Sequence, residues 1–392
     1  MIDLGSRVRL ALAQSLSPTG APEFNFDSSG WEAFWISARD HCLVPYLHKR
    51  WSASGNPEAL PPEIAGRFAA GRQDNAERNR RLLILLSELL SALRERGINT
   101  LVSKGLPLAQ AYYGDPGLRV LYDLDLFVRS EDSGQAIDVL RNIGYQPFLS
   151  TRGSESGRPF WRPREYAWDA EGVFDPNRPV MVELHTRPWE PHWHGFRLEC
   201  TLDPWRGVRV VEVGGVTLQV PGEEQLLVQL AVHYSCNVLE CSARLMHLLD
   251  IVLLLWQRGS DLDWETVLSF IRQDRLEPFC FLAFDLAARV GGCRIPGEPW
   301  KALRDATPPA IVRWSELRGV RDICSMSLHN RERSLIYLLH WNMAEGWTER
   351  ASVLFDSVRG PWQENAGPGR WKSLAARMSG RLQHLLHALR SR

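Results

Sequence analysis

The nine residues VLYDLDLFV, Val120–Val128, constrain this chain more than any other stretch. Apolar, β-prone residues flank both aspartates, which suits a strand inside a sheet rather than one at a solvent edge. Side chains alternate along a strand, so Asp123 and Asp125 share one face while Leu124 and Leu126 take the other. The leucine face needs a core, and two adjacent carboxylates need a counter-charge. At about 4 Å and an effective dielectric near ~20 their repulsion is roughly 4 kcal/mol, enough to favour a divalent cation or an arginine beside them.

An Asp-x-Asp pair arises about once by chance in a chain of this size. A second one occurs here, in SDLDWETV (Ser260–Val267). That pair directly precedes a helical pattern, with Asp263 placed as N-cap and Glu265 in the first turn, where an acid complements the helix dipole. The second pair is therefore structural, and the first is the candidate for chemistry.

The texture around the first pair changes twice. Helical patterns fill the first ninety-odd residues and include a long amphipathic run from about Pro62 to Arg96, with Gly97 as its stop. From Asn99 strands and short helices alternate: INTLVSKG, LPLAQAYYG, VLYDLDLFV, EDSGQAIDVLRNIG, YQPFLS, REYAWDA and PVMVELHTRPW, then a hairpin turning at Gly214-Gly215. After Pro221 the helical pattern returns. The expected fold class is α+β, with a small mixed β-sheet core flanked by an N-terminal helical region and a C-terminal helical domain. The expected units are residues 1–97, 98–220 and 221–360, followed by a basic amphipathic tail over 361–392. From Gly367 onward that tail carries Arg370, Lys372, Arg377, Arg381, Arg390 and Arg392 without an acid. It is expected to dock on the body as an amphipathic helix, with RNA or a membrane surface as the alternative.

Two further stretches complete a constellation. In PVMVELHTR, Glu183 and His185 share a strand face, opposite Val182 and Leu184. Asp123, Asp125 and Glu183 on neighbouring strands form an all-oxygen set of the kind that suits Mg²⁺, with Mn²⁺ as the alternative. Such carboxylates can hold two metals ~3.5–4 Å apart in phosphoryl transfer. In SKGLPLAQAYYG, Lys104 and Gly105 sit between a strand and a helix start, where backbone amides and a cation converge on a phosphate-sized volume. Arg119 stands just before the acidic strand as a second cation.

Other residues carry simpler expectations. His185, His192 and His194 lack the cysteine or acid pattern of a structural zinc site, so a lid or substrate wall is preferred. Trp189 and Trp193 are two of sixteen tryptophans, which makes core packing the default over base stacking. His233, Arg244 and Asp250 interrupt apolar helices and are expected to make interhelical hydrogen bonds, while Cys236 and Cys241 are expected to be buried thiols.

Lys+Arg and Asp+Glu both count 46, so no global field points to nucleic acid or an anionic membrane. Seven scattered cysteines without C-x-x-C indicate neither a disulfide partner nor a zinc ribbon and fit a cytoplasmic location. No signal peptide is apparent, and the most apolar run, LMHLLDIVLLLW, is broken by His247 and Asp250, so no membrane span is expected.

The order SKGLPLAQAYYGDPGLRVLYDLDLFV, helix, LRNIGY, VELH resembles the bacterial uncharacterised nucleotidyltransferase family of the DNA polymerase β-like superfamily. It is more distantly similar to the abortive-infection nucleotidyltransferase toxins. ARDHCLVPYLHKRW resembles the family's helical lead-in, and VPGEEQLLVQLAVHYS with RLMHLLDIVLLL resembles its helical C-terminal half. The resemblance implies transfer of a nucleoside monophosphate from an NTP, with pyrophosphate leaving, to an acceptor that is a small molecule, a peptide or protein, or a tRNA. It implies that Lys104 and Gly105 form the phosphate turn, that Arg119 assists, and that Asp123, Asp125 and Glu183 hold Mg²⁺. Lys-Gly stands where the wider superfamily has Gly-Ser, and Glu183 stands where Asp is common, as metal ligand or as base. The rivals are an inactive scaffold of the same fold and a metal-dependent phosphodiesterase or nuclease.

Overall fold

The computed structural model describes residues 4–19, 26–53, 60–148, 159–163, 166, 171–189, 192–193, 196–239 and 242–317. The basic tail, His194, Cys241 and most of REYAWDA lie outside these residues. The class is α+β. The described residues hold twelve α-helices: α1 (Leu4–Gln14), α2 (Ser28–Asp40), α3 (Val44–Ala53), α4 (Pro62–Glu95), α5 (Gly105–Leu108), α6 (Ser133–Asn142), α7 (Glu223–Leu239), α8 (Leu245–Arg258), α9 (Trp264–Gln273), α10 (Glu277–Gly291), α11 (Gly297–Ala306) and α12 (Pro309–Leu317). A mixed sheet is built from β1 (Leu101–Ser103), β2 (Asp123–Phe127), β3 (Gln146–Pro147), β4 (Pro159–Trp161) and β5 (Met181–His185), in the order β1-β2-β5-β4-β3. Two short antiparallel pairs follow, β6 (His192–Trp193) with β7 (Phe196–Arg197), and β8 (Arg209–Val213) with β9 (Val216–Val220).

The strand carrying the aspartates is internal, as its flanking residues require. β2 lies antiparallel to β1 and parallel to β5, in a register that aligns Ser103, Asp125 and Glu183 in one row across three strands. Residues paired across strands share a face. The opposite face buries Val102, Leu124, Leu126, Val182 and Leu184 against the second half of α4 and against α6.

Helix α4 is the spine of the molecule. Pro62 occupies its first turn and Gly97 takes a φ of +75° just past its end, the usual punctuation for a helix of this kind. Its buried stripe begins with Ile64, Phe68 and Gly71, in a core shared by the N-terminal helices and α7 to α12. It ends with Leu82, Leu86, Leu89 and Leu93 under the sheet, each contributing roughly 1.5–3 kcal/mol by burial. Between the two halves the stripe turns polar at Asn75, Arg78 and Asn79. These residues satisfy the loop that enters β2. Asn75 Nδ2 donates to the Gly117 carbonyl at 2.7 Å, Asn79 Nδ2 to the Pro116 and Arg119 carbonyls at 2.6 and 2.8 Å, and Arg78 Nε to the Leu121 carbonyl at 3.2 Å. Gly117 is needed for this contact, because a Cβ there would lie 2.8 Å from Ala76 Cβ and 3.1 Å from its Cα.

Asp263 caps α9 as expected, accepting from the Glu265 and Thr266 amides. No helix among the described residues is long and apolar enough to cross a membrane.

One buried group sets an acid limit on stability. His41 is 5% exposed, and its Nδ1 accepts from the Leu245 amide at 3.3 Å, so the ring is neutral. Burial, and secondarily Arg244, push its pKa down to about 4. The unfolded chain protonates His41 first as pH falls, so stability is lost between about pH 6.5 and 4 and is constant below, by up to about 3 kcal/mol. The expected outcome for His41→Asn, which keeps an acceptor near Nδ1, is a flatter dependence of Tm on pH in that window. An unchanged slope would contradict it.

Candidate active site

The row Ser103, Asp125, Glu183 forms the floor of the site, with Asp123 two residues before Asp125 on the same face and His185 two residues after Glu183. Asp125 is buried, 6% exposed, and its Oδ1 receives Lys104 Nζ at 3.1 Å and His185 Nε2 at 3.0 Å. His185 Nε2 also lies 3.5 Å from Glu183 Oε2. Phe127, in register with His185, packs on the imidazole with ring centroids 5.3 Å apart.

The electrostatics follow from crowding. Asp123 has its pKa pushed up to about 7 by burial and by the carboxylates of Asp125 and Glu183. Asp125 is buried too, yet Lys104 and the bond from His185 outweigh that and hold its carboxyl well below the usual range. Burial disfavours the His185 cation, but its bonds to Asp125 and Glu183 prevail and raise its pKa to about 9. The site is a carboxylate cluster balanced by one lysine and one imidazolium.

Each remaining expected residue has a definite place. Lys104 holds a φ of +51° and ψ of −133°, and Gly105 follows at +39°, a sharp corner that throws the lysine onto the acidic face. Backbone conformations of this kind cost on the order of 1–3 kcal/mol and cluster at functional sites. The helix after this corner is only four residues long before a π-turn over Ala109–Tyr113, so it offers little of the dipole expected there. Arg119, the second expected phosphate contact, is engaged within the protein. Its Nε and Nη2 donate to the two oxygens of Asp250 in α8 at 2.9 and 2.8 Å, and Tyr113 donates to the same carboxylate at 2.6 Å. Arg119 is 7% and Asp250 1% exposed, so the pair is a buried strut between sheet and helix. Asp250 thus makes the interhelical type of bond expected of it.

The helical half closes over the acidic face. Ser103 Oγ donates to Gln229 Oε1 at 2.8 Å, fixing α7 across the strand row. One turn on, His233 meets His247 of α8 with ring centroids 5.0 Å apart. Burial, with Lys104 next, pushes the His233 pKa down to about 3, and burial, with His233 next, holds that of His247 well below its ordinary value. Among the described residues Arg244 makes no interhelical bond of the expected kind, and its guanidinium lies over the Tyr122 ring, 4.3 Å from the centroid. Trp189 is half-buried and donates to the Glu199 carbonyl, in keeping with packing. Cys236 is half-buried rather than enclosed.

The model of the uncharacterised nucleotidyltransferase family matches residues 27–292, more than half of the chain. The chain belongs to that family. Similar solved structures include the antibiotic-resistance factor ANT(2'')-Ia, at 14% identity over 50% of this chain and 92% of that one, with a TM-score of 0.35. An antigenic nucleotidyltransferase-like protein from Paracoccidioides brasiliensis is 14% identical over 54% of this chain and 92% of that one, with a TM-score of 0.31. No curated protein matches. Family membership covers the whole acidic site, from the Asn75–Asn79 clamp through Asp123, Asp125 and Glu183 to Asp250.

Sequence reasoning missed the clamp. Asn75, Arg78 and Asn79 resemble a solvated charged run in DNAERNRR, but they continue the spacing of Phe68, Gly71, Leu82 and Leu86 and so had to face inward. That continuity was the available signal. The Asp250 partner of Arg119 had none, because 131 residues separate the two.

Proposed function

We propose that the chain transfers a nucleoside monophosphate from an NTP to an acceptor hydroxyl, releasing pyrophosphate, with Mg²⁺ held by Asp123, Asp125 and Glu183. The observation that carries this reading is the register of Asp125 with Glu183 across parallel strands, with Asp123 on the same face. The donor set fits the ion: besides burial, the carboxylates of Asp125 and Glu183 lift the Asp123 pKa, and that repulsion is what a divalent cation relieves. Asp125, Glu183 and His185 also place one ligand atom each within 4.8 Å of the others, so His185, once it gives up its proton, is a fourth candidate donor. Mn²⁺ is the alternative ion. A bound divalent cation would neutralise phosphate charge and orient the reacting phosphoryl group.

The chain's own residues do the rest. Lys104, whose Nζ lies 3.1 Å from Asp125 Oδ1, is the lysine that would neutralise charge gathering on the leaving pyrophosphate. Glu183, only half-buried, would both help to hold the cation and help to take the proton from the acceptor hydroxyl. Helices α7 and α8 roof the face and reduce water access. Gln229 anchors that roof through Ser103. Most of the rate would come from positioning and charge.

The test is incubation of the protein with each α-labelled NTP, Mg²⁺ and separate pools of small metabolites, tRNA and protein. The expected result is metal-dependent pyrophosphate release with one pool gaining label. Cleavage of added nucleic acid without NTP would favour the phosphodiesterase reading, and NTP binding without turnover in any pool would favour the scaffold reading.

A further inference from the structure

Arg119 has little left for a phosphate, because its Nε and Nη2 are committed to Asp250 and its Nη1 approaches the Val120 carbonyl at 3.5 Å. Lys104 and His185 are both directed at Asp125, so a further cation would serve a triphosphate. Arg244 is positioned to supply it. Its guanidinium carbon lies 4.3 Å from the centroid of the Tyr122 ring, and that of Arg178 lies 5.1 Å from the same centroid. Tyr122 immediately precedes Asp123 and is pinned by its hydroxyl against Cys42 Sγ at 3.0 Å, so the ring is a fixed platform beside the acidic row.

Among the described residues the buried Nε of Arg244 has no hydrogen-bond partner. Burial opposes its charge, while Cys42, Tyr122, Asp123 and Asp40 favour it. An aromatic face orients a guanidinium without neutralising it, leaving its planar fork for two-point contact with an oxyanion. A buried cationic donor without a partner calls for an explanation, and a bound anion is one.

We propose that Arg244, held with Arg178 on the Tyr122 ring, binds the polyphosphate of the nucleotide. The proposal rests on the nucleotidyl-transfer reading. It assigns the phosphate contact to the helical half of the chain, so that nucleotide binding joins the sheet to α8.

The test is calorimetric titration of the full chain with inorganic tripolyphosphate and with NTP, each with Mg²⁺, for the wild type, Arg244→Gln and Arg244→Lys. Loss of a charge-assisted contact should weaken both probes by about 10- to 100-fold in Arg244→Gln. The salt dependence of binding should fall as well, with Tm unchanged, a pattern that a purely structural role would not produce. Arg244→Lys, which keeps a charge but loses the fork, should fold and bind both probes several-fold more weakly, and it decides the matter if the glutamine variant does not fold. Wild-type affinity for both probes in the folded variants would overturn the proposal and leave the nucleotide reading standing. Binding of neither probe by the wild type would overturn both.

Discussion

Arg119→Ala is expected to lower the stability of the chain by about 3–5 kcal/mol, the usual cost of leaving one partner of a buried ion pair uncompensated. The alanine would strand Asp250, 1% exposed in the middle of α8, with Tyr113 as its remaining donor. Asp250→Ala should cost a similar amount for the converse reason, since burial opposes the Arg119 charge and Asp250 is the main group sustaining it. Substituting both, as Arg119→Ala with Asp250→Ala, should cost less than the sum of the single changes, because the desolvation of both charges disappears with them. Urea denaturation of the four proteins measures the cycle. Single variants within about 1 kcal/mol of wild type would mean that the strut is not a buried pair in solution.

Asp123→Asn should separate stability from activity. Its carboxyl is pushed up to about 7 by burial and by Asp125 and Glu183, so the folded chain pays for the charge that the unfolded chain carries freely. The sign follows: the folded state binds the proton more tightly, so stability from this group rises as pH falls from about 7 towards 4. The neutral isostere removes that penalty. Without added metal, the variant should therefore be more stable near pH 8 by up to about 4 kcal/mol, with the difference vanishing near pH 4. The same change should lower nucleotidyl transfer by at least about 10³-fold, since cation and phosphate positioning are worth several kcal/mol. A gain in Tm together with a loss of activity marks residues kept for function at the expense of stability. Loss of both would instead mark Asp123 as structural.

Much of this architecture was legible in the chain. The alternation in VLYDLDLFV gave the two faces of β2, and VELH gave the matching strand, because period-two patterning depends only on local sequence. The parallel register that sets Glu183 beside Asp125 was not legible, because it depends on how α6 and the intervening loops return the chain. Lys104 was legible as a cation at a corner, but its left-handed backbone was not, since glycine rather than lysine usually signals such a conformation. Arg119 illustrates the reverse. Its position before the acidic strand suggested phosphate, whereas its partner was supplied by a helix more than a hundred residues away.

The most direct measurement is calorimetric titration of the purified chain with each of the four NTPs, with and without Mg²⁺, beside a folded Asp123→Asn/Asp125→Asn variant. The expected result is binding of at least one NTP that requires the metal and disappears in the variant. Equal binding by both proteins, or binding indifferent to metal, would contradict the assignment of Asp123, Asp125 and Glu183 as the catalytic centre.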